Sequence, residues 1–474
     1  MKKRILLVEP NFPYPNRSKN QANGIHKNFA PIGLLKLGAM HKELGNEVRL
    51  VRGNVNFEEF IPDEILITSL FTYWSDYVWN SIEYYRRLFP DSKIRLGGIY
   101  VTLHNNTPEF VEKAERFKII SHIGVHKEAE KFLPDYSLLQ GEIDHHITHA
   151  MRGCIRKCKF CGTWKLEPEL RYKSAEEMVR ELKEVGKNKV LFFDNNFFAN
   201  PNIKEILSAL ADLKINGKAV TFESQSGFDG RLLEKDPELA ILLKRARFNE
   251  IRIAWDNSLE DYKSVRKQIK HLNKAGYLSK EIYVFMIYNF NIPYKIMLKK
   301  LSYCKRWCVQ ICDCRYRPLS AIHDDYNPHS FKEGQGEENY YIHSGGGWTD
   351  KMIRDFRKRV RQHNMEIRYA NGEKYDVRME HWSAIHNTYK FFNLGRPPFL
   401  EKIDKSKKLQ ERIRKLNKLK NHCIRNGSLA PDFNGLSKRE LDKEIQKIIE
   451  DAGFKKGDEL ESEAVKGEVR LRRK

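Results

Sequence analysis

Residues 4–102 alternate apolar strands with amphipathic helices, and that alternation limits what the chain can fold into more than any single residue does. "RILLVEP" (4–10) reads as a strand, and "PIGLLKLGAMHKELG" (31–45) as an amphipathic helix ended by Gly45. "NEVRLVRG" is a second strand, "DEILITSL" a buried third, "SDYVWNSIEYYRRLFP" a helix, and "SKIRLGGIYVT" a strand running into a Gly-Gly turn. The pattern predicts a doubly wound, Rossmann-like parallel sheet over residues 1–125, with ligands beyond the carboxyl ends of its strands. The loops Glu9–Tyr14, Ser69–Trp74 and Gly97–Tyr100 are the candidates there.

After a linker at 126–142 the alternation resumes. "HHITHA", "KVLFFD", "AVTFES", "EIRIAW", "IYVFMIY" and "VQICDCRY" are six candidate strands between 143 and 320. Helical stretches separate them, including "SAEEMVRELKEVG", where Ser174 and Glu177 have the spacing of a capping box. Six such units predict a partial (β/α)6, TIM-like barrel, whose chemistry belongs on the loops after the strands.

Residues 321–474 are expected to be basic and mainly helical. "SGGGWTDKMIRDFRKRVRQH" reads as a glycine turn into a basic helix. The turn lacks the lysine of a phosphate-binding loop and is read as a flexible linker. "EKIDKSKKLQERIRKLNKLKNHCIRN" sets ten Lys and Arg against three acids. "LSKRELDKEIQKIIEDAG" is a last helix before a charged tail expected to fray.

Over the whole chain 85 Lys and Arg face 63 Asp and Glu, for a net charge of +22. That excess is compatible with a polyanionic partner such as nucleic acid and says nothing about fold. The basic C-terminal stretches carry few aromatics, so single-strand base stacking is not expected. No apolar run approaches the roughly 18 residues of a spanning helix. The opening "MKKRILLVEP" stops its apolar run at Val8 without a cleavage site and is read as a strand of a cytoplasmic protein.

"RGCIRKCKFCGTW" (152–164) places three of the eight cysteines, Cys154, Cys158 and Cys161, within eight positions. The loop follows the first candidate strand of the second segment, where a barrel places reactive groups. Thiolates are soft ligands for zinc, copper(I) or iron–sulfur clusters. A structural zinc needs four ligands, and the next histidine is His271, so His146, His149 or a distant cysteine would have to complete it. The rival reading of the chain is accordingly a nucleic-acid-binding protein with a structural metal. Three ligands on one loop also suit three irons of a four-iron cube, whose fourth iron then stays open to a small molecule.

The C-x3-C-x-aromatic-C pattern of "CIRKCKFC", with Phe160 at the aromatic position, resembles that of the radical SAM superfamily. So do the "RG" before Cys154, the "RYKSAEEMVREL" helix start and "FFDNNFFAN" at the second strand. With the preceding α/β segment, residues 1–320 resemble members that carry a cobalamin-binding domain at the N-terminus. The resemblance implies that Cys154, Cys158 and Cys161 ligate a [4Fe-4S] cluster whose open iron takes the amino and carboxylate groups of S-adenosylmethionine. It implies reductive cleavage of the sulfonium to a 5′-deoxyadenosyl radical, or in some members methyl transfer, and an electron-donor protein as partner.

By the same resemblance Asp194, Asn195 and Asn196 fall where members touch the methionine part of S-adenosylmethionine, and Asp256 where a ribose-binding acid lies. "ESQSGFDGR" offers Glu223, Gln225 and Arg231, and "WDN" adds Trp255. Gln225 joins the cofactor-binding set. Cys304, Cys308, Cys312 and Cys314 invite an auxiliary cluster, although a helix–strand packing seam explains them without a metal. Cys314, on a strand inside the barrel, is the candidate catalytic residue. The N-terminal segment has no D-x-H-x-x-G motif to ligate cobalt, so the resemblance leaves cobalamin open.

Overall fold

The computed structural model describes residues 2–14, 29–57, 59–141, 143–323, 341, 343, 345–369, 443, 460–465 and 468–473. The chain divides into two compact units, Met1–Ile367 and Arg368–Lys474.

The first unit begins with a five-stranded sheet. Strands β1 (Arg4–Glu9), β2 (Glu47–Arg52), β3 (Glu64–Ser69), β4 (Lys93–Gly98) and β5 (Ile119–Ser121) lie parallel in the order β2-β1-β3-β4-β5. Period-2 alternation decides the layers. Leu6, Val8, Ile65, Ile67, Ile94 and Leu96 face helices α2 (Ser75–Leu88), α3 (Ile99–His104) and α4 (Pro108–Arg116), meeting Val78, Trp79, Ile82, Val101 and Phe110. Ile5, Leu7 and Leu66 face the other way, onto Leu34 of α1 (Ile32–Glu43). Full burial of each such side chain contributes about 1.5–3 kcal/mol. The chain leaves α1 through Gly45, at φ +76°, as its spacing predicts. Gly98 makes the sharp turn from β4 into α3. A Cβ there would stand 2.0 Å from the Ser69 carbonyl oxygen at φ +105°, so only glycine fits.

The six predicted strands of the second segment all form, with one short addition to their parallel sheets and two short antiparallel pairs, Met151–Arg152 with Arg171–Tyr172 and Lys214–Ile215 with Lys218–Ala219. β6 (His146–Thr148), β7 (Lys189–Phe192), β8 (Thr221–Ser224) and the added β9 (Phe248–Asn249) make one parallel sheet. β10 (Ile251–Ala254), β11 (Ile282–Tyr288) and β12 (Gln310–Arg315) make another, and a parallel bridge joins Phe228 to Ile253. Neighbours follow chain order, as successive βα units require. The linking helices are α5 (Thr163–Leu166), α6 (Ala175–Val185), α7 (Ile203–Asp212), α8 (Gly230–Lys235), α9 (Glu238–Arg245), α10 (Tyr262–Lys274) and α11 (Tyr294–Trp307). The capping box closes as spaced: Glu177 N donates to Ser174 Oγ at 3.1 Å, and Ser174 N to the Glu177 carboxylate at 2.7 Å. Val190, Phe192, Phe222, Ile253 and Val284 pack in a common core. The residues alternating with them, Leu191, Glu223, Arg252, Phe285, Cys312 and Cys314, stand outside it.

The glycine turn at 345–347 differs from the flexible linker expected of it. Gly345, Gly346 and Gly347 hold φ of 74°, 68° and 65°, and a Cβ on Gly346 would meet the Phe290 carbonyl oxygen at 2.3 Å. Trp348 is buried and donates from Nε1 to the Ile292 carbonyl (2.8 Å). Helix α12 (Asp350–Tyr369) then buries Ile353, Phe356 and Val360 in the second segment's core. Asn364 imitates a further strand at the β12 edge. It accepts from Ile311 N at 2.8 Å and donates to Ile311 O at 2.7 Å, satisfying groups an edge leaves unpaired.

In the second unit, residues expected to fray form an antiparallel pair, β13 (Leu460–Val465) with β14 (Glu468–Arg473), in register from Leu460↔Arg473 to Val465↔Glu468. The alternation in "EVRLRR" is strand-like, and counting charge alone hides it. The helices expected at 401–426 and 436–453 lie outside the described residues, apart from Lys443, which is helical. Among the described residues no helix is long and apolar enough to cross a membrane.

Candidate functional site

The cysteine loop leaves β6 and is fastened at its base before the first thiol. Met151–Arg152 pairs antiparallel with Arg171–Tyr172. Asp194, fully buried at the end of β7, accepts from Ala150 N at 3.0 Å and from Met151 N at 2.6 Å. Burial pushes its carboxyl up to about 7 against the pull of those two N–H groups. Each Asp194 oxygen thus accepts one backbone N–H and holds the base of the loop. Gly153 follows at φ +79°, where a Cβ would meet the Glu169 carbonyl oxygen at 2.7 Å. Glu167 secures the turn: it accepts from Gly153 N (3.0 Å) and Asn195 Nδ2 (3.0 Å) and pairs with Arg152 at 2.9 Å.

Cys154, Cys158 and Cys161 are all unpaired and half-buried. Cys154 Sγ accepts from Arg156 N at 3.4 Å, and Asn196 Nδ2 lies 3.8 Å from it. Cys161 Sγ accepts from Thr163 N at 3.5 Å and donates to Thr163 Oγ1 at 3.2 Å. Thr163 in turn donates to Asn195 Oδ1 at 3.3 Å. Burial, with Cys161 and Asp256 nearby, pushes the Cys158 thiol up, and Arg231 draws it back. Among the described residues no three His, Cys, Asp or Glu side chains gather closely enough to hold a single ion. The histidines considered as remote ligands are engaged elsewhere. His146 meets Tyr136 (2.9 Å) and Glu181 (3.0 Å), and His149 meets Arg152 (3.2 Å).

The ends of the next strands converge on this loop. Asp229, the half-buried N-cap of α8, accepts from Arg156 Nε (2.9 Å), Arg231 Nε (2.8 Å) and Asn196 Nδ2 (3.2 Å). Burial would raise its carboxyl, but the bonds from Arg231 and Arg156 outweigh it and hold the group low. Asn196 Oδ1 is buried with no hydrogen-bond partner. Asp256 is half-buried beyond β10. Burial pushes its carboxyl up to about 6, while Lys300 and Arg231 pull it down. Phe160 meets Phe290 edge-on at 6.0 Å, and Phe290 packs on Tyr316 at 4.5 Å.

Gln225 is half-buried just beyond β8. It donates to Glu223 at 2.6 Å, and Glu223 pairs with the buried Arg252 at 2.7 Å. The four later cysteines scatter. Cys304 is fully buried on α11 and Cys308 is exposed at its left-handed end. Cys312 and Cys314 alternate onto the coreless face of β12, where burial pushes the Cys312 thiol up to about 11. Cys314, on the same face, is exposed. Sequence reasoning passed over Asp229, Arg156, Thr163, Glu167 and Lys300. Only Asp229 carried a signal, the helix-capping "FDGR".

The N-terminal sheet supplies a second feature. Its α1 side opens on a cavity of about 700 Å³. Leu37 and Met40 of α1, Leu66, Gly97, His122 and His126 line it, and Thr163, Glu167 and Asn195 of the cysteine-loop network form its far wall. His122 Nε2 is buried there without a partner, and a Cβ on Gly97 would meet only His122 Cβ, at 3.9 Å. Two of the predicted ligand loops are filled by their own aromatics. Phe12 stacks on Trp74 at 5.3 Å, and Tyr14 donates to the buried Glu9 at 2.7 Å.

Residues 148–277 match the model of the Radical SAM superfamily, a span that holds the three cysteines, Asp194–Asn196, Gln225 and Asp256. That segment is a radical SAM domain, and the family implies an enzyme with a [4Fe-4S] cluster and S-adenosylmethionine. No curated protein matches the chain. Among solved structures it is similar to the cobalamin-dependent S-adenosylmethionine radical enzyme OxsB with aqua-cobalamin and S-adenosylmethionine bound. The identity is 14% and the TM-score 0.44, over 95% of this chain and 75% of that one. It is also similar to Streptococcus suis SuiB bound to its precursor peptide SuiA, at 16% identity and a TM-score of 0.28. That match covers 47% of this chain and about half, 54%, of SuiB.

Proposed function

We propose that this protein is a cytoplasmic radical SAM enzyme that modifies an unactivated carbon, with cobalamin-dependent methyl transfer as its finer reading. The observation that carries the proposal is the fastened loop with three unpaired thiols inside the matched segment. We read the two parallel sheets as one partial (β/α)6 barrel, with Glu223, Arg252, Phe285, Cys312 and Cys314 on its inner wall. Cys314 is the candidate to meet substrate there.

The thiols suit an iron–sulfur cluster, being soft donors flanked by N–H groups at Arg156 and Thr163. Cys154, Cys158 and Cys161 would each take one iron. When bound, the cluster supplies the electron that cleaves the sulfonium of S-adenosylmethionine, and cobalamin a methyl carrier. The chain's own part is orientation. Arg231 would receive the carboxylate of S-adenosylmethionine, the orphaned Asn196 Oδ1 its ammonium, and Asp256 its ribose hydroxyls. Phe160 and Phe290 would exclude water.

The cavity fits cobalamin to this extent: an apolar wall of Leu37, Met40 and Leu66, a glycine at position 97 that adds no side chain to the space, and an unpartnered imidazole nitrogen at His122. Those residues would hold it. We extend the proposal to a polyanionic substrate, supported by the net charge of +22, and to an electron-donor protein as partner.

The experiment is anaerobic reconstitution followed by reductant and S-adenosylmethionine, with and without methylcobalamin. The proposal expects broad absorption near 400 nm and release of 5′-deoxyadenosine or of demethylated donor, at ~1 or more turnovers per chain. Colourless, zinc-loaded protein that leaves S-adenosylmethionine intact would overturn it in favour of a structural metal.

A further inference from the structure

Helix α11 turns three residues fully inward: Met297, Lys300 and Cys304. Their spacing is that of an ordinary apolar stripe, and Lys300 stands in the middle, where a leucine or methionine would pack. Its side chain is 0% exposed. An ammonium in such a place is costly unless every proton finds an acceptor. Lys300 Nζ donates to the carbonyl oxygens of Trp255 at 2.5 Å and of Asn257 at 2.8 Å, and lies 4.9 Å from the centre of the Trp255 ring. The two carbonyls flank Asp256. The Trp255 ring is itself buried and anchored by Nε1 to the Ser258 carbonyl (3.0 Å).

One buried cation thus gathers the backbone on either side of a single carboxylate, at the end of a strand that stops beside the cysteine loop. Asp256 feels the charges of Lys300, Arg231 and Asp229, and Cys158 and Cys314 feel Asp256. Lys300 faces Asp256, Cys304 and Asp261. A loop held only for stability needs no charge, since a hydrophobic side chain of similar volume would fill the stripe at no desolvation cost.

We infer that Lys300 is a positioning residue for S-adenosylmethionine: by gripping the carbonyls of Trp255 and Asn257 it fixes the direction in which Asp256 meets the ligand. The inference rests on the reading of Asp256 as a ligand contact. Lys300 itself touches no ligand. It lies outside the matched segment 148–277 and acts through the backbone of a residue within it.

The test is a double-mutant cycle read as binding. Reconstituted wild type, Lys300→Met, Asp256→Asn and the double variant are compared for the Kd of S-adenosylmethionine by anaerobic equilibrium dialysis, with iron content and melting temperature alongside. Each single change is expected to weaken binding about tenfold, and the double no more than the larger single, because coupled residues are not additive. Lys300→Gln, which keeps one donor, replaces Lys300→Met in the cycle if the latter does not fold. Wild-type affinity in the Lys300 variant, or a double loss equal to the product of the singles, would overturn the inference while leaving the Asp256 reading intact. Wild-type affinity in Asp256→Asn would overturn that reading, and the inference with it.

Discussion

At the carboxyl edge of the N-terminal sheet, Phe12, Tyr14 and Trp74 pack on one another and Glu9 is occupied by Tyr14 and Arg52. At the carboxyl edge of the second segment's strands stand three half-buried thiols, the unpartnered Asn196 Oδ1 and the half-buried Asp256. Both regions are parallel α/β layers, and topology alone recommends their strand ends equally as ligand sites. What separates them is how the strand ends are used. In the first region two of the strand-end loops are filled by their own aromatics, and the space lies beside the third, Gly97–Tyr100, on the face of the sheet that carries α1. In the second, Asp194 and Glu167 tie down the backbone of the cysteine loop and Asp229 gathers the side chains of Arg156, Arg231 and Asn196 beside it.

The largest expected effect breaks the second region and spares the first. Replacing Cys158 with alanine should abolish bound iron and lower S-adenosylmethionine cleavage by ~10³-fold or more, since an open cluster site has no spare ligand. The melting temperature should move little, as the thiol is half-buried and packs no core. Iron assay, product analysis and calorimetry check it together.

Gly98→Ala is the converse. A Cβ placed 2.0 Å from the Ser69 carbonyl oxygen at φ +105° should cost about 2–4 kcal/mol of stability. Iron binding per folded chain should be unchanged, as denaturant melts with parallel iron assays would show.

Asp194 gives a pH dependence. Its carboxyl binds its proton at about 7 in the folded chain against 3.8 when unfolded. Stability from this group is therefore complete below about pH 4 and is lost as the pH rises through about 7. Asp194→Asn should flatten that slope, and should cost about 1–3 kcal/mol because an amide oxygen cannot accept from both Ala150 N and Met151 N in the same geometry. Thermal melts at pH 5 and pH 7.5 measure both. The smallest effect sharpens the cavity assignment. Gly97→Val, where an added Cβ would meet only His122 Cβ at 3.9 Å, should leave stability within about 0.5 kcal/mol. It should weaken any cobalamin binding, followed by the corrin absorbance retained after gel filtration.

The strands were legible because buried β-residues announce themselves as apolar runs, and the cysteine loop because its spacing has so few uses. Asp194 was legible as a polar residue beyond a strand, yet its role was not: its partners Ala150 and Met151 lie 44 and 43 residues away, and nothing local marks the pairing. Arg156 and Asp229, 73 residues apart, are hidden in the same way. Helix α12 reads as a basic helix because its charged positions outnumber the apolar residues, Ile353, Phe356 and Val360 among them, that dock it. Its decisive contact is a neutral amide, Asn364, on a strand edge. Lys300 is the extreme case. In "MLKKLSYC" it is indistinguishable from its exposed neighbour Lys299, and only the fold shows which of the two is buried.

The most direct measurement is the electron paramagnetic resonance spectrum of the anaerobically reduced, reconstituted protein with and without S-adenosylmethionine. The account predicts about four irons per chain in one cluster and a signal that shifts when S-adenosylmethionine binds, with both lost when Cys154, Cys158 and Cys161 are replaced together. A signal indifferent to S-adenosylmethionine, or iron that persists without the three thiols, would contradict it.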